Sequence, residues 1–324
     1  MLASSRLAIA EFYIVAIDTL QLFCVPAFLM LSGFFLTNKL ENQNNPALVV
    51  KKRLSKIIPP YLFWSGAFYI LNNLGELQKF DLLSLLRDIL TGSVKFSYYF
   101  IVVIVQCYGW WWLLVKLKFL EARKLLVLGL IIQTIFTILF YLSAFHYIKS
   151  IPQHLMERLI FSWILPFSTG LFLGGSYDII QSVLERRKMP ILGATILFYV
   201  ASIGECYPIV HTEQWFLRSF FKISSQGYAI LFVLSILAFS KSIALPSRVS
   251  GLVKRLAAYS FPIYLLELTV LPYVSLVLYK FIDPVHPLLK FAFLVTGNLF
   301  GCWAIIYLLQ KVLPKNYSQY ILGI

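Results

Sequence analysis

Apolar residues run along this chain in stretches long enough to cross a bilayer, and polar residues gather between them. A spanning helix needs about 20 mostly apolar residues. Nine stretches qualify: 12–37, 57–74, 97–115, 122–145, 158–176, 189–208, 217–240, 261–281 and 287–312. The pattern predicts an all-α fold, a polytopic transmembrane helix bundle of about nine spans, organised as one domain over 1–324. The longest polar connections, 38–56 and 75–96, read as loops. The first stretch is overlong, begins beside Glu11 and carries Asp18, so its start is expected along the membrane interface. It has no basic n-region, short h-region or small-residue cleavage site, and is not read as a signal peptide.

Composition agrees with the pattern. The chain is 60% hydrophobic and only 13% charged, against about 25% charged in soluble domains, and its mean hydropathy is +0.80. No segment is long and polar enough for a soluble domain. The net charge of +14 does not require nucleic acid, because basic residues accumulate on cytoplasmic loops of membrane proteins.

The placement of charge gives an orientation. Of 28 basic residues, 18 fall in one set of alternate loops, among them Lys39, Lys51, Lys52, Arg53, Lys56, Lys116, Lys118, Arg186, Arg187, Lys188, Arg248, Lys254, Arg255, Lys311 and Lys315. The rule that positive loops stay inside puts this set, and the C-terminus, in the cytoplasm. Nine spans then leave the N-terminus outside without a signal peptide to take it there. That arithmetic points to one further helix upstream.

Several residues stand out as candidate chemistry. Glu267 sits in YSFPIYLLELTVLPY, inside an apolar run. A charge there costs about 2.5–3.5 kcal/mol on insertion scales, so it marks a site or has a partner. It follows a cytoplasmic loop and lies about 7–8 Å in from Pro262 along a helix. It can serve as a general base, or it can be a neutral or paired carboxylate held by an arginine or lysine of the next loop. Lys51, Lys52, Arg53 and Lys56 run directly into Pro59-Pro60 and an aromatic span. They suit anchoring to lipid phosphates. They also suit a phosphate-binding patch, since Arg53 and Lys56, three apart, share a helix face and could hold a diphosphate. Ser32-Gly33 fits a close helix crossing, and Gln106 fits interhelical bonding; both are also candidate substrate contacts. The tryptophans Trp110 to Trp112 fit an interfacial belt. His146, His154, His211 and His286 all lie in or beside extracytoplasmic loops, so the spans offer no histidine base. The cysteines Cys24, Cys107, Cys206 and Cys302 are scattered singly, with no CxxC pair, so no metal or redox site is indicated. No phosphate loop, dinucleotide fingerprint, hydrolase elbow, zinc motif or inverted transporter repeat is present.

Five blocks in order, VPAFLMLSGFFL, KKRLSKIIPPYLFW, YYFIVVIVQCYGWWWLL, FSWILPFSTGLFLGG and YSFPIYLLE, resemble the membrane acyltransferase-3 family. The resemblance runs from about residue 15 to the last span, and the first two blocks together are its most specific part. It implies a bacterial inner-membrane bundle of ten helices that moves an acyl group, usually acetyl, from cytoplasmic acyl-CoA to a hydroxyl of an envelope carbohydrate or similar acceptor. Acyl-CoA is then a co-substrate; no bound cofactor or metal is implied. The family's basic pair, two arginines separated by two residues, matches Arg53 and Lys56; lysine keeps the charge and loses bidentate geometry. The family's first helix carries an arginine and the histidine taken as catalytic base, whereas this chain begins at what resembles the second helix. Where the family's last block commonly ends in histidine, this chain has Glu267.

The expected protein is therefore an acyltransferase-like membrane domain. Glu267 is the expected catalytic group, and Lys52, Arg53, Lys56, Ser32, Gln106 and Tyr264 are candidate substrate contacts. Expected partners are acyl-CoA, a carbohydrate or lipid-linked acceptor and membrane lipids, with no nucleic acid. Two alternatives remain: an N-terminally incomplete, non-catalytic member, and a transporter or flippase for a lipid-linked or small polar solute.

Overall fold

The computed structural model describes residues 12–13, 15–37, 45–73, 81–117, 121–149, 151–206, 220–281 and 287–324. Lys39, Lys118, His211, His286 and Glu11 lie outside the described residues. The helices are α1 (Cys24–Thr37), α2 (Pro46–Asn72), α3 (Leu82–Thr91), α4 (Tyr99–Lys116), α5 (Ala122–Ala144), α6 (Gln153–Arg158), α7 (Ile164–Gly175), α8 (Tyr177–Arg186), α9 (Lys188–Cys206), α10 (Ile223–Phe239), α11 (Ser247–Phe281), α12 (Pro287–Val312) and α13 (Lys315–Leu322). No strand occurs among the described residues. Among the described residues, six helices are long and apolar enough to cross a membrane: Val15–Thr37, Phe96–Lys116, Ala122–Ala144, Lys188–Cys206, Ser247–Lys280 and Leu289–Val312. Two shorter apolar helices, Ile164–Gly175 and Ile223–Phe239, join them. This is an all-α, multi-pass membrane protein.

Several segments expected as loops are helical. The stretch 46–56 is the first part of α2, which runs on through Pro59 and Pro60. The stretch 82–91 is α3, amphipathic and capped at both ends. The Asp81 carboxylate accepts from Leu83 N at 3.0 Å and Ser84 N at 3.1 Å. Gly92 closes the helix at φ 68°, a backbone that glycine adopts at no steric cost. The stretch 177–186 is α8, and α11 starts at Ser247, well before the apolar run.

The contacts divide into two compact units. The first holds residues up to Val49 together with Gln106–Ala244. Its tightest crossing is α1 on α7. A Cβ built on Gly33 would strike the Phe167 carbonyl, one on Gly170 the Met30 carbonyl, and one on Gly174 the Phe34 carbonyl. Small residues let backbones approach where lipid offers no hydrophobic drive, and Thr37 Oγ1 donates to Leu171 O at 3.1 Å across the crossing. The crossing expected at Ser32-Gly33 is therefore present, with Gly33 at the contact. On α9 and α10, Thr195 and Ser235 hydroxyls lie 2.8 Å apart, and Ser202 and Ser225 hydroxyls 2.7 Å apart.

The expected span 158–176 is not one helix. It breaks between α6 and α7, where Ile160–Ser162 forms a 3₁₀ turn. Pro166 explains the position. Proline lacks the N–H that would bond Ser162 O and its ring crowds that carbonyl, which kinks or breaks a helix at an interior position, and here it stands in the first turn of α7. The backbone groups freed at the break are taken by two glutamines. Gln133 Nε2 donates to Ser162 O at 2.8 Å, and its Oε1 accepts from Leu165 N at 3.4 Å. Gln106 Nε2 donates to Arg158 O at 2.7 Å, and its Oε1 accepts from Ile160 N at 3.1 Å. Unsatisfied backbone is not tolerated in lipid, so each carboxamide substitutes for missing helical bonds.

The second unit holds Val50–Val105 and Leu245–Ile324. Its core gathers Tyr61, Phe68, Tyr98, Ile101, Leu265, Leu266, Val270, Cys302, Ile306 and Leu322. Gly297 and Gly301 of α12 meet Val274 and Val270 of α11.

Candidate functional site

The second unit carries five of the seven residues singled out from sequence. On α2, Lys51, Lys52 and Lys56 are exposed and Arg53 is half-buried. Lys52 and Lys56 are four apart, and Arg53 and Lys56 three apart, so one face of the helix presents a compact cationic cluster. The same helix then enters the core with Tyr61, which is almost fully buried. Its hydroxyl donates to Ile89 O of α3, and its ring meets Tyr98 edge-on at 5.5 Å.

Tyr98 links this helix to α11. Its hydroxyl donates to Leu265 O at 2.9 Å. At the adjacent positions the Tyr264 hydroxyl donates to Ser97 O, and the Tyr264 ring stacks near Phe261 at 6.3 Å. These tyrosines fasten the 96–98 turn to the stretch of α11 that precedes Glu267. Each of their hydroxyl protons goes to a main-chain carbonyl, so none is directed to the carboxylate. Tyr264, a candidate substrate contact, is thus also a fastening residue.

Glu267 is half-buried. Among the described residues it has neither a hydrogen-bond partner nor a salt-bridge partner, so the paired carboxylate expected as one possibility is not formed by them. Tyr98, Tyr264 and Cys302 lie within electrostatic reach of it. The Cys302 thiol donates to Asn298 Oδ1 at 3.8 Å. In the same unit the hydroxyl oxygens of Ser65, Ser97 and Thr269 are buried without a partner among the described residues. The arrangement offers a carboxylate with open acceptor capacity and aromatic walls, on the helix fastened to the one bearing the cations. Chemically it can accept a proton from a hydroxyl.

Ser32 and Gln106 lie in the first unit. Ser32 is half-buried beside the α1–α7 crossing. Both polar atoms of Gln106 serve the helix break, so its interhelical reading holds. His146 and His154 are exposed in the first unit. A polar cluster there was not apparent in the sequence. Lys222, only 1% exposed, donates to Ser202 O at 3.0 Å and contacts Cys206 Sγ at 2.9 Å, with Glu205 at 4.0 Å. Ser224 donates to the same Glu205 carboxylate at 2.6 Å. These partners occupy the ammonium internally, which makes the cluster a structural fastening. No group of three or more metal-ligating side chains occurs among the described residues.

Tyr61 and Tyr98 were not singled out from sequence. Aromatic residues are too frequent in this chain for any one to signal a role, at 17% of positions.

Comparison with known proteins places this geometry in context. The family model described as an acyltransferase domain matches residues 3–307. A probable poly-beta-1,6-N-acetyl-D-glucosamine export protein of Staphylococcus aureus strain Mu50 is 27% identical over 271 residues, covering 80% of this chain and 71% of that protein. Its counterpart in strain MRSA252 is 26% identical over the same shares. No solved structure matches.

Proposed function

The chain belongs to the acyltransferase domain family, and from that membership we propose that it moves an acyl group, acetyl by preference, from cytoplasmic acyl-CoA to a hydroxyl of a cell-envelope carbohydrate. In this reading the protein sits in a bacterial inner membrane with its C-terminus in the cytoplasm. Lys52, Arg53 and Lys56 hold the CoA diphosphate. Glu267 accepts the proton of the attacking hydroxyl as its oxygen bonds to the thioester carbonyl carbon. The C–S bond breaks, and the CoA sulfur leaves as thiolate, to be protonated from solvent. The family's usual histidine is absent from the block ending at Glu267, and the carboxylate takes that position.

One observation carries the reading. The helix with the cationic cluster and the helix with Glu267, whose carboxylate has no partner among the described residues, belong to one compact unit, fastened through Tyr61, Tyr98 and Leu265. The names of the relatives favour a carbohydrate as acceptor. They also support a second reading, passage of a polysaccharide across the membrane, in which no thioester is consumed.

Binding of acyl-CoA to the purified protein tests the proposal. Each charge-assisted contact is worth about 1.5–3 kcal/mol, so Arg53→Ala weakens binding by roughly ten-fold or more and flattens its salt dependence. Unchanged affinity, with membrane insertion impaired instead, would reduce the cluster to an anchor.

A further inference from the structure

The cationic cluster and Glu267 sit on helices weakened at the same level. Pro59 and Pro60 lie inside α2, and Pro262 and Pro272 inside α11. Proline removes the donor that would bond the carbonyl four residues earlier, and kinks concentrate at such sites. For Lys56 the loss is doubled, because both the third and the fourth residues after it are prolines. Its carbonyl therefore has no donor in the next turn of α2.

The three residues closing α13 fill this level. Trp64 Nε1 donates to Ile321 O at 2.8 Å. Leu322 is fully buried in the core with Tyr61, Tyr98 and Leu265. Gly323 has φ 76°, and a Cβ there would lie 2.9 Å from Lys56 O and 2.9 Å and 3.1 Å from the Phe261 ring. Only glycine combines that backbone conformation with so close an approach. Residues 321–323 thus touch α2 beside its proline pair and α11 beside Pro262.

We propose that residues 321–323 are a spacer setting the distance between the cationic cluster of α2 and Glu267 of α11, with Trp64 and Gly323 as its positioning residues. This rests on the acyl-CoA reading above for its catalytic consequence, though not for its geometry. Glu267 lies six residues beyond Phe261, about 9 Å along the helix. A pivot at Pro262 or at Pro59-Pro60 changes the gap between the held diphosphate and the carboxylate. The cluster itself moves as one piece of α2, so its grip on CoA is unaffected.

Two variants and two measurements test this. Trp64→Phe keeps a ring and removes the donor; Gly323→Ala puts a methyl against Lys56 O. A misplacement near 1 Å can cost about 10²-fold in rate. Both variants are therefore expected to lower kcat for CoA release by about that factor, with KM for acyl-CoA unchanged. Gly66→Ala, where no described residue lies within 4 Å of the added methyl, is expected to leave both constants as in wild type. The second measurement does not use activity. Spin labels at Ser55→Cys and Tyr273→Cys, in a background with the native cysteines replaced, report the α2–α11 distance in the full chain. The spacer predicts a shifted or broadened distribution in both variants and an unchanged one in Gly66→Ala. Unchanged distributions in Trp64→Phe and Gly323→Ala overturn it, whatever the activity. So does a loss of activity that only follows the folded fraction. If wild-type protein releases no CoA, the acyl-CoA reading falls and the spin-label distances alone decide the spacer.

Discussion

Replacing Gln106 by methionine keeps its length and volume and removes both polar atoms. The Arg158 carbonyl, at 2.7 Å, and the Ile160 N–H, at 3.1 Å, then lose their partners. A buried group left unsatisfied costs about 1–3 kcal/mol, so the upper bound for the pair is roughly 6 kcal/mol. Two effects reduce it. Side-chain hydrogen bonds between membrane helices average only about 0.6 kcal/mol, because the unfolded chain finds other partners in the membrane. The 159–163 stretch can also rewind partly into helix. Pro166 opposes that rewinding, since a continuous helix would bring its ring against the Ser162 carbonyl. The expected loss is therefore about 1–3 kcal/mol, read as a lowered thermal midpoint of the purified protein in detergent. Acyl-CoA affinity per folded molecule is expected to stay unchanged. Full thermal stability with lost affinity would refute the clamp and make Gln106 a substrate contact.

Gly170→Val drives a side chain into the Met30 carbonyl; it is expected to abolish the α1–α7 crossing and leave little folded protein by size-exclusion chromatography. In contrast, Gly193→Ala, with no described residue within 4 Å of the added methyl, is expected to be neutral or to stabilise α9 by about 0.5–1 kcal/mol. The pair of half-buried Glu185 and exposed Lys241, at 2.9 Å, gives a pH signature. Hydrogen bonds from Lys241 and Gln181 hold the Glu185 carboxyl below its ordinary 4.5. A lowered carboxyl stabilises the fold above its unfolded pKa, and that contribution is lost as pH falls through the lowered value. Thermal midpoints of wild type and Glu185→Gln should differ at neutral pH and converge in acid, and parallel curves down to low pH would contradict this.

Much of the membrane architecture was legible because lipid leaves the chain few choices. A spanning segment must be apolar and helical, so all nine stretches contain helix among their described residues. The short amphipathic helices were less legible. Both α3 and α8 mix apolar residues with a few charged ones, and at ten residues each they fall short of a span, so hydropathy alone merged them into loops. The break at 159–163 was hidden for a different reason. Its cause, Pro166, is local, but its remedy comes from Gln106 and Gln133, distant in sequence. At the candidate site Glu267 stood out because a carboxylate in an apolar run is rare. Trp64, Tyr98 and Gly323 did not, because their roles come from carbonyls on other helices, and no local pattern announces those.

The most direct test of the central claim is CoA release from acetyl-CoA by the purified protein, supplied with envelope carbohydrate, for wild type and Glu267→Gln. Wild-type protein is expected to release CoA in step with acetyl transfer to the carbohydrate. The amide keeps the shape and cannot take a proton, so its rate should fall about 10²–10⁴-fold at unchanged acetyl-CoA affinity and folded fraction. Release of CoA by Glu267→Gln at the wild-type rate would contradict the account, and so would carbohydrate passage across a sealed vesicle membrane with no thioester consumed.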